Sequence, residues 1–245
     1  MEPQLAELRG AVVVPDAASL LDAWEDSLGR SPAQRALQII AVAGAQSAEH
    51  AGALPVGERD RRLLELREAL FGSRLDCIAD CPRCGETVDV TLAVGDILLE
   101  PRRAPESITV AIAGADVAVR VPTAADLAAL ARLPAGDPRD ELLARCLPHA
   151  TTLELSPTAA DALAAALADA DPQADVQLAL DCPSCERRWS APFDVATHLL
   201  AELDAWAQRM LWEVHVLASG YGWCELDTLR LSPTRRRFYL EALGA

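Results

Sequence analysis

Two cysteine pairs constrain this chain more than any other feature. One is Cys81-Pro82-Arg83-Cys84, followed by Gly85; the other is Cys182-Pro183-Ser184-Cys185. Together they offer four thiolates, the ligand number of a closed tetrahedral zinc site. Residues 85–181 separate the pairs, so an ion held by all four would tie two distant stretches of chain together. Around each pair the polar/apolar alternation has the period of a strand. Val88, Val90 and Leu92 follow the first pair; Val176, Leu178 and Leu180 precede the second, and Trp189, Ala191 and Phe193 follow it. Strand, tight turn, strand is the expected frame. A dithiol oxidoreductase would instead place its pair where a strand runs into a helix. Reduced turns without metal are the plainer alternative, but ligand type, number and spacing all favour structural zinc on Cys81, Cys84, Cys182 and Cys185.

The two segments also repeat at an offset of 101 residues. Asp80, Cys81 and Cys84 fall on Asp181, Cys182 and Cys185, and Val94, Leu98 and Leu99 fall on Val195, Leu199 and Leu200. Two similar half-ribbons facing each other across one ion would produce this pattern. Of the remaining cysteines, Cys77 lies in the incoming strand, as a buried thiol or a substitute ligand, and Cys146 reads as core.

The chain is mostly helical outside the knuckles, which predicts an α+β fold: two facing β-hairpin zinc knuckles, zinc-ribbon-like, with N-terminal and C-terminal helical regions and a small α/β insertion. Five stretches follow: an N-terminal helical region (1–72), the first knuckle hairpin (73–100), an insertion of β-hairpin plus helices (101–175), the second knuckle hairpin (176–196) and a C-terminal helical arm (197–245). Ser31-Pro32, Ser156-Pro157 and Ser232-Pro233 each read as an N-cap with proline at the first helical position. Gly52, Pro55 and Gly57 suggest a loop, and Glu58 to Arg62 a solvated first turn of the next helix. Strands at Ile108–Ile112 and Val117–Val121 would turn at Gly114-Ala115-Asp116. From Val195 onward Leu199, Leu203, Trp206, Met210, Val214 and Leu217 form one seam, with Gly220 as its stop.

Composition narrows the function. The 245 residues are 51% hydrophobic, enough for a real core, and carry a net charge of −15. That charge argues against nucleic acid, whose binding depends on basic side chains displacing counterions. No apolar run reaches membrane-spanning length, and the N-terminal run Ala11–Val14 is too short for a signal peptide. An odd number of cysteines without an export signal predicts a reducing, cytoplasmic setting. There is no P-loop, Gly-x-Gly-x-x-Gly or Gly-x-Ser-x-Gly motif, and His50, His149, His198 and His215 form no metal pair. An enzyme is not expected.

The stretch "RDRRLLELREALFGSRLDCIADCPRCGETVDVTL", the stretch "VRVPTAADLAAL" and the closing "HVLASGYGWCELDTLRLSPTRRRFYLEAL" together resemble a family found in contractile-tail gene clusters. It comprises small zinc-knuckle proteins similar to the baseplate-hub assembly chaperone of T-even phages, which occur also in extracellular contractile injection systems of bacteria. The resemblance spans roughly residues 18–243. It implies a non-enzymatic assembly factor acting on baseplate or tail proteins. A permanent baseplate subunit and a zinc-ribbon regulatory protein are the alternatives. A binding role needs aromatic and charged surface, and the C-terminal arm offers Trp206, Trp212, Tyr221 and Trp223 with Arg235, Arg236 and Arg237. Each aromatic could equally pack one helix on another. The family pattern has serine at the position of Cys224, with an acidic residue at that of Asp227, a helix cap that cysteine makes poorly.

Overall fold

The computed structural model describes residues 12–44, 47–112, 114–131, 137–148 and 155–244; Ala11 and His149 lie outside them. Among the described residues the first four helices are α1 (Ala17–Ser27), α2 (Pro32–Ala43), α3 (Ala48–Ala53) and α4 (Val56–Phe71). The first ribbon, β1 (Arg74–Asp80) and β2 (Thr87–Ala93), leads into the one-turn α5 (Val94–Ile97). The insertion holds β3 (Ser107–Ile112), β4 (Ala115–Arg120), α6 (Ala124–Leu130), α7 (Pro138–Cys146) and α8 (Pro157–Ala170). The second ribbon is β5 (Gln177–Asp181) with β6 (Arg188–Pro192), and α9 (Val195–Tyr221), α10 (Glu225–Leu229) and α11 (Pro233–Leu243) close the chain. This is the expected α+β architecture. No described helix is long and apolar enough to cross a membrane.

The caps form where the sequence places them. Ser31 accepts from the Gln34 N–H while the Gln34 side chain accepts from the Ser31 N–H, and Ser156 and Ser232 accept from Ala159 and Arg235. Each satisfies an amide that the helix geometry leaves open. Among the described residues the strands pair as three separate antiparallel ribbons that do not merge into one sheet. In the insertion Ile112 pairs with Ala115, so Ala115 and Asp116 belong to the strand and Gly114, at φ +82°, to the turn.

The main core is built mostly by helices, with Leu20, Ile39, Leu63, Leu66, Leu199 and Leu203 all at most 1% exposed. Burying each contributes about 1.5–3 kcal/mol. The two ribbons are therefore peripheral to a helical core. Both ribbons rest on this helical core at their bases, through Leu75 and Leu92 in one and Leu178 beside Phe193 in the other. The insertion has its own core, where Val119, Leu163 and Cys146 are at most 1% exposed.

Residues 52–62 depart furthest from the sequence reading. Gly52 lies in α3 and Gly57 in α4, and Arg59, Asp60 and Arg61 are buried rather than solvated. The cause is long-range. The Asp171 carboxylate, from the end of α8, accepts the Gly57 N–H at 2.8 Å and caps α4 in place of the Pro55 side chain. A Cβ on Gly57 would lie 1.9 Å from Asp171 Oδ1. Gly57→Ala should therefore cost about 2–4 kcal/mol, from the lost cap and the overpacking together, read as a lowered urea midpoint.

Asp60 meets Arg59 at 2.6 Å, but both side chains are buried. Burial outweighs Arg59 and, with the nearby charges of Asp194 and Asp171, pushes Asp60 up to about 6. A carboxyl raised on folding stabilises the fold when protonated. That stability is complete below the unfolded value near 3.8 and lost as pH rises through 6. Asp60→Asn removes this titration, so its stability relative to the parent should climb by about 3 kcal/mol from acid to neutral pH. Urea unfolding from pH 4 to 7 measures it, and parallel curves for the two proteins would refute it.

Candidate metal centre and the C-terminal arm

The tips of the two ribbons meet. Cys81 Sγ and Cys185 Sγ are 3.6 Å apart, Cys84 Sγ and Cys182 Sγ are 3.6 Å apart, and all four sulfurs lie within 4.8 Å of one another. Sulfurs bound tetrahedrally at about 2.3 Å would sit about 3.8 Å apart, so these positions fit one ion. The four cysteines could hold a metal. Cys77 does not join them; its half-buried thiol sits in β1 and approaches Val90 O at 3.5 Å, so neither full burial nor ligation applies.

Each tip is shaped by the same backbone bonds. Cys81 N–H donates to Glu86 O at 2.8 Å, and Cys182 N–H donates to Arg187 O at 2.9 Å. Chain reversal requires a left-handed residue after each second cysteine, Gly85 at φ +74° and Glu186 at φ +57°. These two correspond in the internal repeat. So do Asp80 and Asp181, which each accept a side-chain bond across their own ribbon, from Thr87 and from Arg188, both at 2.8 Å. Each turn runs into a strand, unlike the strand-to-helix setting of a redox dithiol.

The electrostatics suit a cation. Burial opposes ionisation of Cys81, yet the backbone N–H groups of Arg83 and Cys84 and the neighbouring sulfurs bring it down to about 6. At Cys84 the Glu86 N–H acts downward, but burial and the three other sulfurs push it up to about 12. Cys185 is raised too, despite the Arg187 N–H, by burial and by Cys81 and Cys182. A divalent ion bound here would replace protons that otherwise neutralise the cluster.

The arm separates the candidate contact residues. Trp206 is half-buried and packs against the core beside Leu21 and Met210. Arg236 is buried, 5% exposed, bonded to Glu213 at 2.8 Å and to Leu231 O at 2.6 Å. Trp212 is 50% exposed but leaves α9 on the side opposite Tyr221, nine positions earlier. Tyr221 stacks on Trp223 at 4.8 Å, and Trp223 meets Tyr239 edge-on at 4.9 Å. Phe238, 66% exposed, extends this group, and Arg235 and Arg237 flank it in solvent. The sequence reading missed Phe238 and Tyr239. Their place on α11 gave no signal until the tertiary structure folded α11 back on α9, where Gly220 leaves room for Leu243; Gly222, at φ +70°, is the actual stop. At Cys224 the sulfur meets Asp227 Oδ2 at 3.0 Å without bonding the backbone, as expected of a poor cap.

No curated protein and no solved structure matches the chain. The family of T4 bacteriophage base plate proteins does match, over residues 19–154. That span covers more than half of the chain and runs from α1 through the first cysteine pair and most of the insertion, so the chain belongs to the T4 bacteriophage base plate protein family.

Proposed function

We propose that this protein is a non-enzymatic, chaperone-like assembly factor for the baseplate or hub of a phage-tail-like contractile injection system, with a structural zinc ion at its four cysteines. Membership of the base plate family carries the reading. The cysteine centre supports it on the physical side. Four protein sulfurs complete a tetrahedral shell and leave no position for water or substrate, so the ion holds shape and performs no chemistry. The end of the arm is the surface we assign to the client, a baseplate or tail protein. Exposed Phe238, with Tyr221 and Trp223 beside it, supplies the large aromatic contacts that dominate interface energies. Arg235 and Arg237 supply charge at the rim.

The test is a deletion in cells that express the complete tail gene cluster. Loss of the protein should leave tails without baseplates, and the protein should be absent from purified mature particles. Its presence in those particles at fixed stoichiometry would make it a permanent baseplate subunit instead. Phe238→Asp should reproduce the deletion while the protein still folds.

A further inference from the structure

A cleft of about 660 Å³ opens where the main core and the insertion meet. Its walls are the first turns of α4, the segment 99–106, the end of β4 and residues 170–173. Its volume lies within the range of ligand sites, which favour junctions between packed units. The walls are already tied together. Val56 N–H donates to Pro122 O at 3.1 Å, Ala124 N–H to Leu54 O at 2.9 Å, and Leu99 N–H to Gln173 Oε1 at 2.8 Å. Binding there would require little ordering of the protein.

The lining combines apolar surface from Leu54, Leu99, Pro105 and Val121 with five arginines, in a chain of net charge −15. Three arginines already have carboxylates. Arg61, 4% exposed, is paired with Glu58 and Glu65, Arg62 with Glu58, and Arg120 grips both oxygens of Asp126 at 2.6 and 2.8 Å. Arg102 and Arg103, exposed at the mouth, make no ion pair among the described residues, although carboxylates abound in this chain. Adjacent unpaired guanidiniums beside an apolar channel match an incoming chain with carboxylates next to apolar side chains. Glu100, Glu106 and Asp171 also line the cleft and repel any anion placed against them, so the site favours carboxylates spaced along a chain, each within reach of Arg102 or Arg103, over the concentrated charge of a polyphosphate.

We infer that this cleft binds an acidic, apolar peptide segment of a partner protein, its carboxylates held by Arg102 and Arg103 and its apolar side chains by Leu54, Leu99 and Val121. The site is separate from the aromatic end of the arm.

A fluorescein-labelled octapeptide of alternating Leu and Glu, followed by anisotropy on the full chain, tests it. We expect saturable binding that weakens as salt rises. The Arg102→Ala/Arg103→Ala variant and a Leu/Gln peptide should each lose about tenfold in affinity. Both arginines are exposed, so the variant should fold normally, and Arg235→Ala/Arg237→Ala should bind like the parent. No binding, equal binding of the Leu/Gln peptide, or full affinity in the Arg102/Arg103 variant would overturn the inference. Displacement by ATP more readily than by unlabelled peptide would assign the cleft to a nucleotide and overturn it as well. None of these failures bears on the arm, because Phe238→Asp should leave peptide binding unchanged.

Discussion

Serine at Cys81 or at Cys182 should empty the metal centre and collapse the stability of the ribbons. The parent protein, grown with zinc, should carry one ion per chain, and either variant close to none, by elemental analysis. The expected loss is large because a structural tetrathiolate site is worth on the order of 10–16 kcal/mol at neutral pH, comparable to the whole net stability of a domain. Each serine leaves three sulfurs and a hydroxyl that is a far poorer ligand. Cys81 and Cys182 are both buried, so a serine hydroxyl placed at either cannot simply hydrate. A strong chelator should lower the melting temperature of the parent in the same direction. Cys77→Ser is the control, since that sulfur lies outside the cluster, and it should retain metal and melting behaviour. Full metal content and unchanged melting in both the Cys81 and Cys182 variants would remove the zinc assignment.

The second large effect should come from Arg67. Its side chain is 5% exposed, and its fork holds both oxygens of Glu202 at 2.6 and 2.8 Å while Nη1 caps α4 through Gly72 O at 2.5 Å. One residue thus joins α4 to α9 and closes the end of its own helix. Arg67→Ala strands Glu202 beside the core. Removing one partner of a buried pair costs about 3–5 kcal/mol, and Glu202, 29% exposed, can rehydrate enough to keep the loss near 3. Thermal unfolding should fall by roughly 6–12 °C. His198 makes the loss depend on pH. Its Nε2 lies 3.6 Å from Glu202 and has no hydrogen-bond partner among the described residues. Burial, and to a smaller degree Arg67, holds His198 below its ordinary value against the pull of Glu202. Without Arg67 its pKa rises and the protonated ring can pair with Glu202. The deficit should therefore shrink as the pH is lowered into the acidic range. A deficit constant from pH 5 to 8 would exclude that compensation.

Local chemistry made much of this fold readable. Serine before proline marks a helix start wherever it stands, because the hydroxyl reaches an amide three residues on and proline lacks the amide that would go unpaired. All three Ser-Pro pairs began helices within a residue of expectation. Alternation identified the ribbons, and the repeat about the cysteines anticipated that their tips are equivalent. The same rules failed at residues 52–62. Two glycines and a proline there look like a loop, and five consecutive charged residues look solvated. The carboxylate that caps this helix is Asp171, and no local pattern reports a partner so remote. Trp206 and Arg236 show the same gap on the arm. A tryptophan in an apolar seam and an arginine in a basic run are as compatible with burial as with exposure, and only packing against α1 and pairing with Glu213 decide between them.

By itself the sequence determined the donor set, its division into two turns and the helical character of the rest, because ligand chemistry, capping and hydrophobic period act over a few residues. Only the tertiary structure decided that the four sulfurs converge, which arginines are spent inside the protein, and that a cleft opens between the two cores with two guanidiniums that pair with no carboxylate among the described residues. Those outcomes depend on contacts between side chains far apart in the chain, whose energies no neighbouring residue encodes.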